Sequence, residues 1–85
     1  MNNLSNLTVV IVTYKTDEKI LTNCIKSINN HVKILIIENS SEFKSKEIFT
    51  SYPNLAIHCT GKNLGYGGGN NFGLNFVNTK YALIS

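Results

Sequence analysis

A chain of 85 residues has room for one small domain, and we treat residues 1–85 as a single unit. An apolar fraction of 42% and a charged fraction of 15% exclude a disordered chain, which would be poorer in aliphatic and aromatic residues. Eight Lys and no Arg against five acids give a net charge of +3, and because the lysines are scattered they argue against a nucleic-acid partner.

The sequence shows neither a membrane span nor a secretion signal. Its longest apolar run, residues 9–12, is far shorter than the ~20 residues of a span, and residues 1–6 lack the charged and apolar regions of a signal. Cys24 and Cys59 lie in apolar stretches without metal-site spacing, which predicts two reduced core thiols in a cytoplasmic protein. The surplus of Lys is compatible with a peripheral position at the inner face of the membrane.

The first half of the chain predicts strand, helix, strand. Residues 7–13 are apolar and β-branched in succession, as in a strand covered on both faces, and residues 33–37 repeat the pattern. Thr16 or Asp17 can cap a helix between them, which should end near residues 29–30. Its predicted buried face consists of Ile20, Leu21, Cys24, Ile25 and Ile28.

The second half predicts two more helices and two more strands. A helix capped by Ser40 or Ser41 should run to about Ser51, with its apolar side formed by Phe43, Ile48, Phe49 and Tyr52. Residues 55–59 predict a third strand, residues 60–71 a glycine-rich loop, and residues 71–78 a short helix that packs Phe72, Phe76 and Val77. Residues 81–84 predict a fourth buried strand.

The predicted order β-α-β-α-β-α-β is that of an α/β protein with a parallel, Rossmann-like sheet. In such sheets ligands bind beyond the carboxyl ends of the strands. Residues 13–15, residues 38–40 and the glycine-rich segment should meet there. A buried fourth strand at the chain end leads us to expect that the natural domain continues beyond Ser85. His31 and His58 lack partners at metal or catalytic spacing, so we interpret both as structural.

The spacing of the glycines argues against two common nucleotide-binding motifs. A dinucleotide fingerprint needs GxGxxG after the first strand, but Gly65 and Gly67 are followed by Asn70 at the last position. A P-loop needs GxxxxGK followed by Ser or Thr, and the pair Gly61–Lys62 has Ala56 in place of the first glycine.

Residues 63–73 read N-L-G-Y-G-G-G-N-N-F-G, and this segment resembles the N-x-G-x-x-x-G-x-N-x-G segment of bacterial family 2 glycosyltransferases. Residues 10–15 and 36–41 resemble the segments that end the first two strands in that family. The resemblance covers nearly the whole chain and implies the N-terminal half of a GT-A fold. The triple glycine followed by two asparagines is most similar to the rhamnosyltransferase-like branch.

The resemblance implies a nucleotide-sugar site at the predicted sheet edge. Thr13 and Tyr14 would contact base and sugar, and Glu38, followed by Asn39, would accept a hydrogen bond from the pyrimidine N3–H. The other implied contacts are Asn63, Gly65, Gly68, Asn70 and Asn71, of which Asn70 or Asn71 would begin a helix. Alternatives stay open: Tyr14 can simply cover the sheet, Glu38 can be a solvated carboxyl group, and either Asn can be a plain helix cap.

The implied ligands are a UDP- or dTDP-sugar donor and a glycan acceptor, with Lys62 as a candidate phosphate partner. Inverting transfer also needs a divalent cation, Mg²⁺ or Mn²⁺, and a carboxylate base. The family's acidic motif would follow the fourth strand, and Glu42 and Glu47 are expected on a helix facing elsewhere. We therefore expect no catalytic or metal-binding residue here, no cation bound by this chain alone, and no unaided transfer.

Two other interpretations remain open from the sequence alone. A flavodoxin-like or receiver-like module would bind a partner protein, although a receiver should carry an acidic pair where residues 13–15 read T-Y-K. An inactive gene remnant would have no activity. The sequence leaves open whether the protein forms a homo-oligomer.

Overall fold

The computed structural model describes residues 4–85, apart from the side chains of Lys46 and Ile48. Its strands are β1 (Leu7–Thr13), β2 (Lys33–Glu38), β3 (Leu55–Cys59) and β4 (Tyr81–Ile84), and its helices are α1 (Glu18–Lys26) and α2 (Gly65–Leu74). Short 3-10 turns occupy Leu4–Asn6 and Lys46–Phe49. The chain is an α/β unit consistent with the N-terminal part of a GT-A domain, as predicted.

The four strands form one sheet in the order β3-β2-β1-β4, and every neighbouring pair is parallel. The register pairs Thr13 with Glu38 and Glu38 with Cys59, so three strands end level with one another. The polar residues that follow these strands therefore gather at one edge of the sheet.

The two central strands are buried on both faces, as their continuous apolar pattern predicts. The core on the α1 face contains Val9, Ile11, Leu21, Ile25, Val32, Ile34, Ile36, Phe43 and Phe49. The core on the α2 face contains Val10, Leu35 and Ile37, with Val12, Phe72 and Val77 packed against it. Alternate residues of one strand thus contribute to opposite cores.

Helix α1 begins where the sequence predicts and ends sooner. The side chain of Asp17 caps it by accepting a hydrogen bond from the Lys19 amide at 3.4 Å. The Ser27 hydroxyl donates to the Cys24 carbonyl at 2.6 Å and closes the last turn. Ile20 is 64% exposed, so its predicted place in the buried face is wrong: Leu21 and Ile25 define that face.

The helix predicted from Ser40 or Ser41 to about Ser51 is wrong. Only the turn Lys46–Phe49 forms, because the Ser40 hydroxyl donates to the Glu38 carboxyl group at 2.7 Å instead of capping a helix. The aromatic packing is still present, with ring centroids 6.1 Å apart for Phe43 and Phe49 and 5.7 Å apart for Phe49 and Tyr52. The predicted packing of Ile48 concerns a side chain outside the described residues.

The structure also contradicts two predictions for the next segment: a glycine-rich loop at residues 60–71 and a helix at residues 71–78. Helix α2 begins at Gly65 and ends at Leu74, so most of the glycines are helical. A Cβ at Gly69 would lie 2.8 Å from Val12 Cγ1, and a Cβ at Gly73 would lie 2.8 Å from Ile37 Cγ1. Glycine thus lets the helix approach the sheet closely, and burial against the sheet offsets poor helix propensity.

The strand predicted at residues 81–84 forms, but its predicted burial is wrong. All four residues of β4 are exposed because it lies at the sheet edge and pairs only with β1. Cys59, at the end of the opposite edge strand, is likewise exposed, which corrects its prediction as a core thiol. Cys24 is partly buried, and both thiols are free.

Candidate functional site

The carboxyl ends of β1, β2 and β3 surround an open cavity of about 590 Å³. Backbone hydrogen bonds hold its walls together: the Asn39 amide donates to the Thr13 carbonyl at 2.8 Å, and the Gly61 amide donates to the Ser40 carbonyl at 3.0 Å. Its lining consists of residues 14–15, 38–42, 44 and 61–63. The structure thus brings together Tyr14, Glu38, Asn39 and Asn63, four of the predicted site residues.

Glu38 lies at the base of this cavity and is 2% exposed. Its Oε1 accepts a hydrogen bond from Thr13 Oγ1 at 2.5 Å, and its Oε2 accepts from the Lys15 amide at 3.1 Å and from Ser40 Oγ at 2.7 Å. The alternative of a solvated carboxyl group is therefore wrong. Thr13 is also buried, and its hydroxyl is turned toward Glu38.

Tyr14 and Lys15 form the wall that continues from β1. The Tyr14 ring is exposed, and Lys15 Nζ lies 5.4 Å from the ring centroid. Lys15 has a positive φ of 50°, a conformation that is uncommon outside glycine. An exposed aromatic ring beside a cavity is suited to stacking against a flat ligand group.

Asn39 is buried and ties the end of β2 to the segment that precedes α2. Its Nδ2 donates to the Gly65 carbonyl at 2.8 Å, while its Oδ1 accepts from Thr60 Oγ1 at 3.1 Å and from the Leu64 amide at 3.3 Å. Because both ends of the carboxamide are engaged within the protein, Asn39 shapes the cavity wall.

The segment between β3 and α2 turns sharply at two glycines. Gly61 and Gly65 have φ values of 93° and 77°, which other residues adopt only with strain. Asn63 Oδ1 accepts a hydrogen bond from the Gly65 amide at 2.9 Å and stabilises the entry to α2. Gly68 packs toward Leu64, since a Cβ there would lie 2.8 Å from Leu64 Cβ. Of the predicted residues in this segment, Lys62 and Asn63 line the cavity, whereas Gly65 and Gly68 do not.

Asn70 and Asn71 do not begin a helix, which corrects their predicted position. Both lie within α2, so the alternative of helix capping is wrong as well. Asn70 is 7% exposed, and its Oδ1 has no hydrogen-bond partner among the residues that the structure describes. Asn71 is exposed, and its carbonyl accepts a hydrogen bond from Asn75 Nδ2 at 3.4 Å. Neither side chain lines the cavity.

Positive charge dominates the cavity rim. Lys15, Lys44 and Lys62 all line it, and none forms an ion pair with a described residue. Glu42 also lies on the rim, which corrects its predicted place on a helix facing elsewhere. The sequence predicted Lys15 and Lys62 at this edge but not Lys44, because Lys44 reaches the site through an irregular loop that no periodicity reveals. The rim can attract an anionic ligand.

A divalent cation fits this part of the chain poorly. Among the described side chains, no three His, Cys, Asp or Glu residues come close enough together to hold a metal ion. The most buried carboxyl group in the cavity, that of Glu38, already accepts three hydrogen bonds.

Neither described helix combines the length and apolar character that crossing a bilayer requires.

A polar cavity at the carboxyl ends of adjacent parallel strands lies where open α/β sheets bind their ligands. The family model for glycosyl transferase family 2 matches residues 8–85, and the chain belongs to this family. This confirms the family-level resemblance and sets aside a flavodoxin-like or receiver-like module.

One curated relative is the low-salt glycan biosynthesis hexosyltransferase Agl10 of Haloferax volcanii. The two are 32% identical over 73 residues, which cover 86% of this chain and 23% of the relative. The chain thus spans about a quarter of the length of that relative.

Proposed function

We propose that this chain is the nucleotide-sugar-binding part of an inverting glycosyltransferase. Its donor is a UDP- or dTDP-sugar, and the transferred sugar is a hexose, with rhamnose as the first candidate. The acceptor is a growing cell-surface polysaccharide. Family membership and a relative named as a hexosyltransferase of glycan biosynthesis support glycosyl transfer. The observation that carries the donor proposal is the cavity shared by three strand ends.

The chemistry of the cavity suits a nucleoside diphosphate. Its volume of about 590 Å³ lies within the range of small-molecule sites, roughly 300–1,000 Å³. The exposed Tyr14 ring offers a stacking surface for a base, and Lys15, Lys44 and Lys62 offer ammonium groups to anionic oxygens. Gly61 and Asn63 line the same cavity beside Lys62.

Glycosyl transfer also needs two groups that this cavity does not supply. A divalent cation, Mg²⁺ or Mn²⁺, would stabilise the diphosphate leaving group, and a carboxylate base would accept the proton of the acceptor hydroxyl. We assign both to other parts of the complete enzyme, which we place in the cytoplasm and peripherally at the inner face of the membrane. Residues 1–85 then form one incomplete domain.

Titration of the ¹⁵N-labelled chain with UDP and dTDP tests donor binding. We expect saturable amide shifts at Lys15, Ser40 and Lys62, and smaller ones in α2, whose amides are engaged within the helix. ADP serves as a control for the base, and uridine as a control for the diphosphate. If both pyrimidine diphosphates leave these amides unshifted at millimolar concentration, the proposal fails.

A further inference from the structure

Glu38 joins two segments of chain that form neighbouring walls of the cavity. Its carboxyl group accepts hydrogen bonds from Thr13 Oγ1 at the end of β1, from the Lys15 amide just after β1, and from Ser40 Oγ just after β2. At 2% exposure, and with three donors around two oxygens, it presents little free surface to a ligand. Its hydrogen bonds therefore connect the segment after β1 with the segment after β2.

The hydrogen bond from the Lys15 amide matters because Lys15 has an unusual backbone conformation. Within residues 4–85, Lys15 is the only residue other than glycine with a positive φ, at 50°. A left-handed conformation is unfavourable for a residue with a Cβ, so something must stabilise it. The 3.1 Å hydrogen bond from the Lys15 amide to Glu38 Oε2 is the tertiary contact that does so.

The left-handed residue in turn sets the cavity wall. Residues 14 and 15 form a bend directly after β1, and the exposed Tyr14 ring and the Lys15 ammonium group lie beside the cavity, with Lys15 Nζ 5.4 Å from the ring centroid. A change of φ at residue 15 would alter this bend and move the two groups relative to each other.

We propose that Glu38 is a positioning residue. It holds Lys15 in the left-handed conformation and thereby shapes the wall that Tyr14 and Lys15 present to the nucleotide. The proposal rests on the proposed function for its ligand, and it differs from the direct contact with the base that the family resemblance implies. Glu38 acts on binding through the backbone of residue 15.

A double-mutant cycle distinguishes positioning of Lys15 by Glu38 from direct contact between Glu38 and the nucleotide. Glu38→Ala should weaken UDP binding about tenfold, because the competent loop is then only a minor population. In a Lys15→Gly background, where a positive φ costs little, the same change should weaken binding less than about threefold. Glu47→Ala is the matched control, since it removes an exposed carboxyl group that does not line the cavity. Urea unfolding of each variant checks that it folds.

A second series leaves Glu38 intact, in case its removal prevents folding. Lys15→Gly, Lys15→Asn and Lys15→Val lose the same charge but differ in their tolerance of a positive φ. We expect the Gly and Asn variants to bind UDP about tenfold more tightly than the Val variant. Equal binding by the three variants would overturn the proposal.

Two further outcomes show whether the positioning role or the proposed function is wrong. If Glu38→Ala costs the same in the Lys15→Gly background as in the native chain, Glu38 contacts the nucleotide directly and the proposal is wrong. If the native chain binds neither UDP nor dTDP, the proposed function fails, and hydrogen exchange of the Lys15 amide then decides about Glu38. Fast exchange in Glu38→Ala, against slow exchange in the native chain and in Glu47→Ala, supports the positioning role, and unchanged exchange refutes it.

Discussion

The carboxamide nitrogen of Asn39 donates a 2.8 Å hydrogen bond to the carbonyl of Gly65, although the two residues are separated by 26 positions in the chain. The same side chain accepts two further hydrogen bonds, from Thr60 and Leu64. One buried residue at the end of β2 therefore determines how the segment between β3 and α2 closes the cavity.

Substitution of Asn39 should destabilise the chain more than its size indicates. Asn39→Ala removes all three hydrogen bonds and leaves buried partners unsatisfied, so we expect the free energy of unfolding to fall by about 2–3 kcal/mol. Urea unfolding followed by circular dichroism measures it. Asn23→Ala, at an exposed position of α1, is the control and should change stability by less than about 0.5 kcal/mol. Equal stabilities for the two variants would contradict this role.

Two glycines of α2 should respond in opposite directions to the same substitution. A Cβ at Gly69 would lie 2.8 Å from Val12 Cγ1 and 2.9 Å from Asn39 Nδ2, so Gly69→Ala should cost about 1–3 kcal/mol. Nothing lies within 4 Å of a Cβ at Gly67, so Gly67→Ala should stabilise the helix by up to about 1 kcal/mol. Thermal and urea unfolding of both variants provide the test, and a stabilising Gly69→Ala would show that α2 lies farther from the sheet.

The lysines of the rim should favour the diphosphate over the nucleoside. Lys44→Gln and Lys62→Gln should each weaken UDP binding about twofold to fivefold and leave uridine binding unchanged, because exposed charge pairs contribute little individually. The difference should shrink as salt is raised. Lys26→Gln on α1 makes the same change in net charge away from the cavity. An equal loss in Lys26→Gln would mean that only overall charge matters.

Substitution of Asn70 should change stability and leave UDP binding unaffected. Its buried Oδ1 lacks a partner among the described residues, which ordinarily costs about 1–3 kcal/mol. Asn70→Leu should therefore leave the free energy of unfolding equal or raise it by about 1 kcal/mol. Because the Asn70 side chain is buried and does not line the cavity, the same variant should bind UDP as tightly as the native chain, which the amide titration measures. A loss of stability without a loss of binding would reveal a structural partner instead.

Much of the framework follows from local sequence. The uninterrupted β-branched runs of β1 and β2 predict strands covered on both faces, and the structure places them at the centre of the sheet. Thr16 or Asp17 predicts the start of α1, because a helix cap depends on neighbouring residues alone, and the structure shows Asp17 as the cap. The polar ends of three parallel strands predict a cavity at one edge, since a parallel sheet brings those ends together.

Other features depend on contacts between distant residues. Ser40 bonds to Glu38 and Phe43 packs against Phe49, so the segment between β2 and β3 is held in an irregular shape that also brings Lys44 to the cavity. The exposure of β4 depends on its place at the edge of the sheet, which its apolar residues do not reveal.

Sequence alone thus determined the parallel α/β framework, the family and the edge at which polar residues gather, because strand patterning and helix caps are local properties. Only the tertiary structure decided that the glycine-rich segment is a helix. Glycine has poor intrinsic helix propensity, and its local preference is for loops. At Gly69 and Gly73, however, the absence of a Cβ lets the backbone pack directly on Val12 and Ile37, and that packing with the sheet favours the helix.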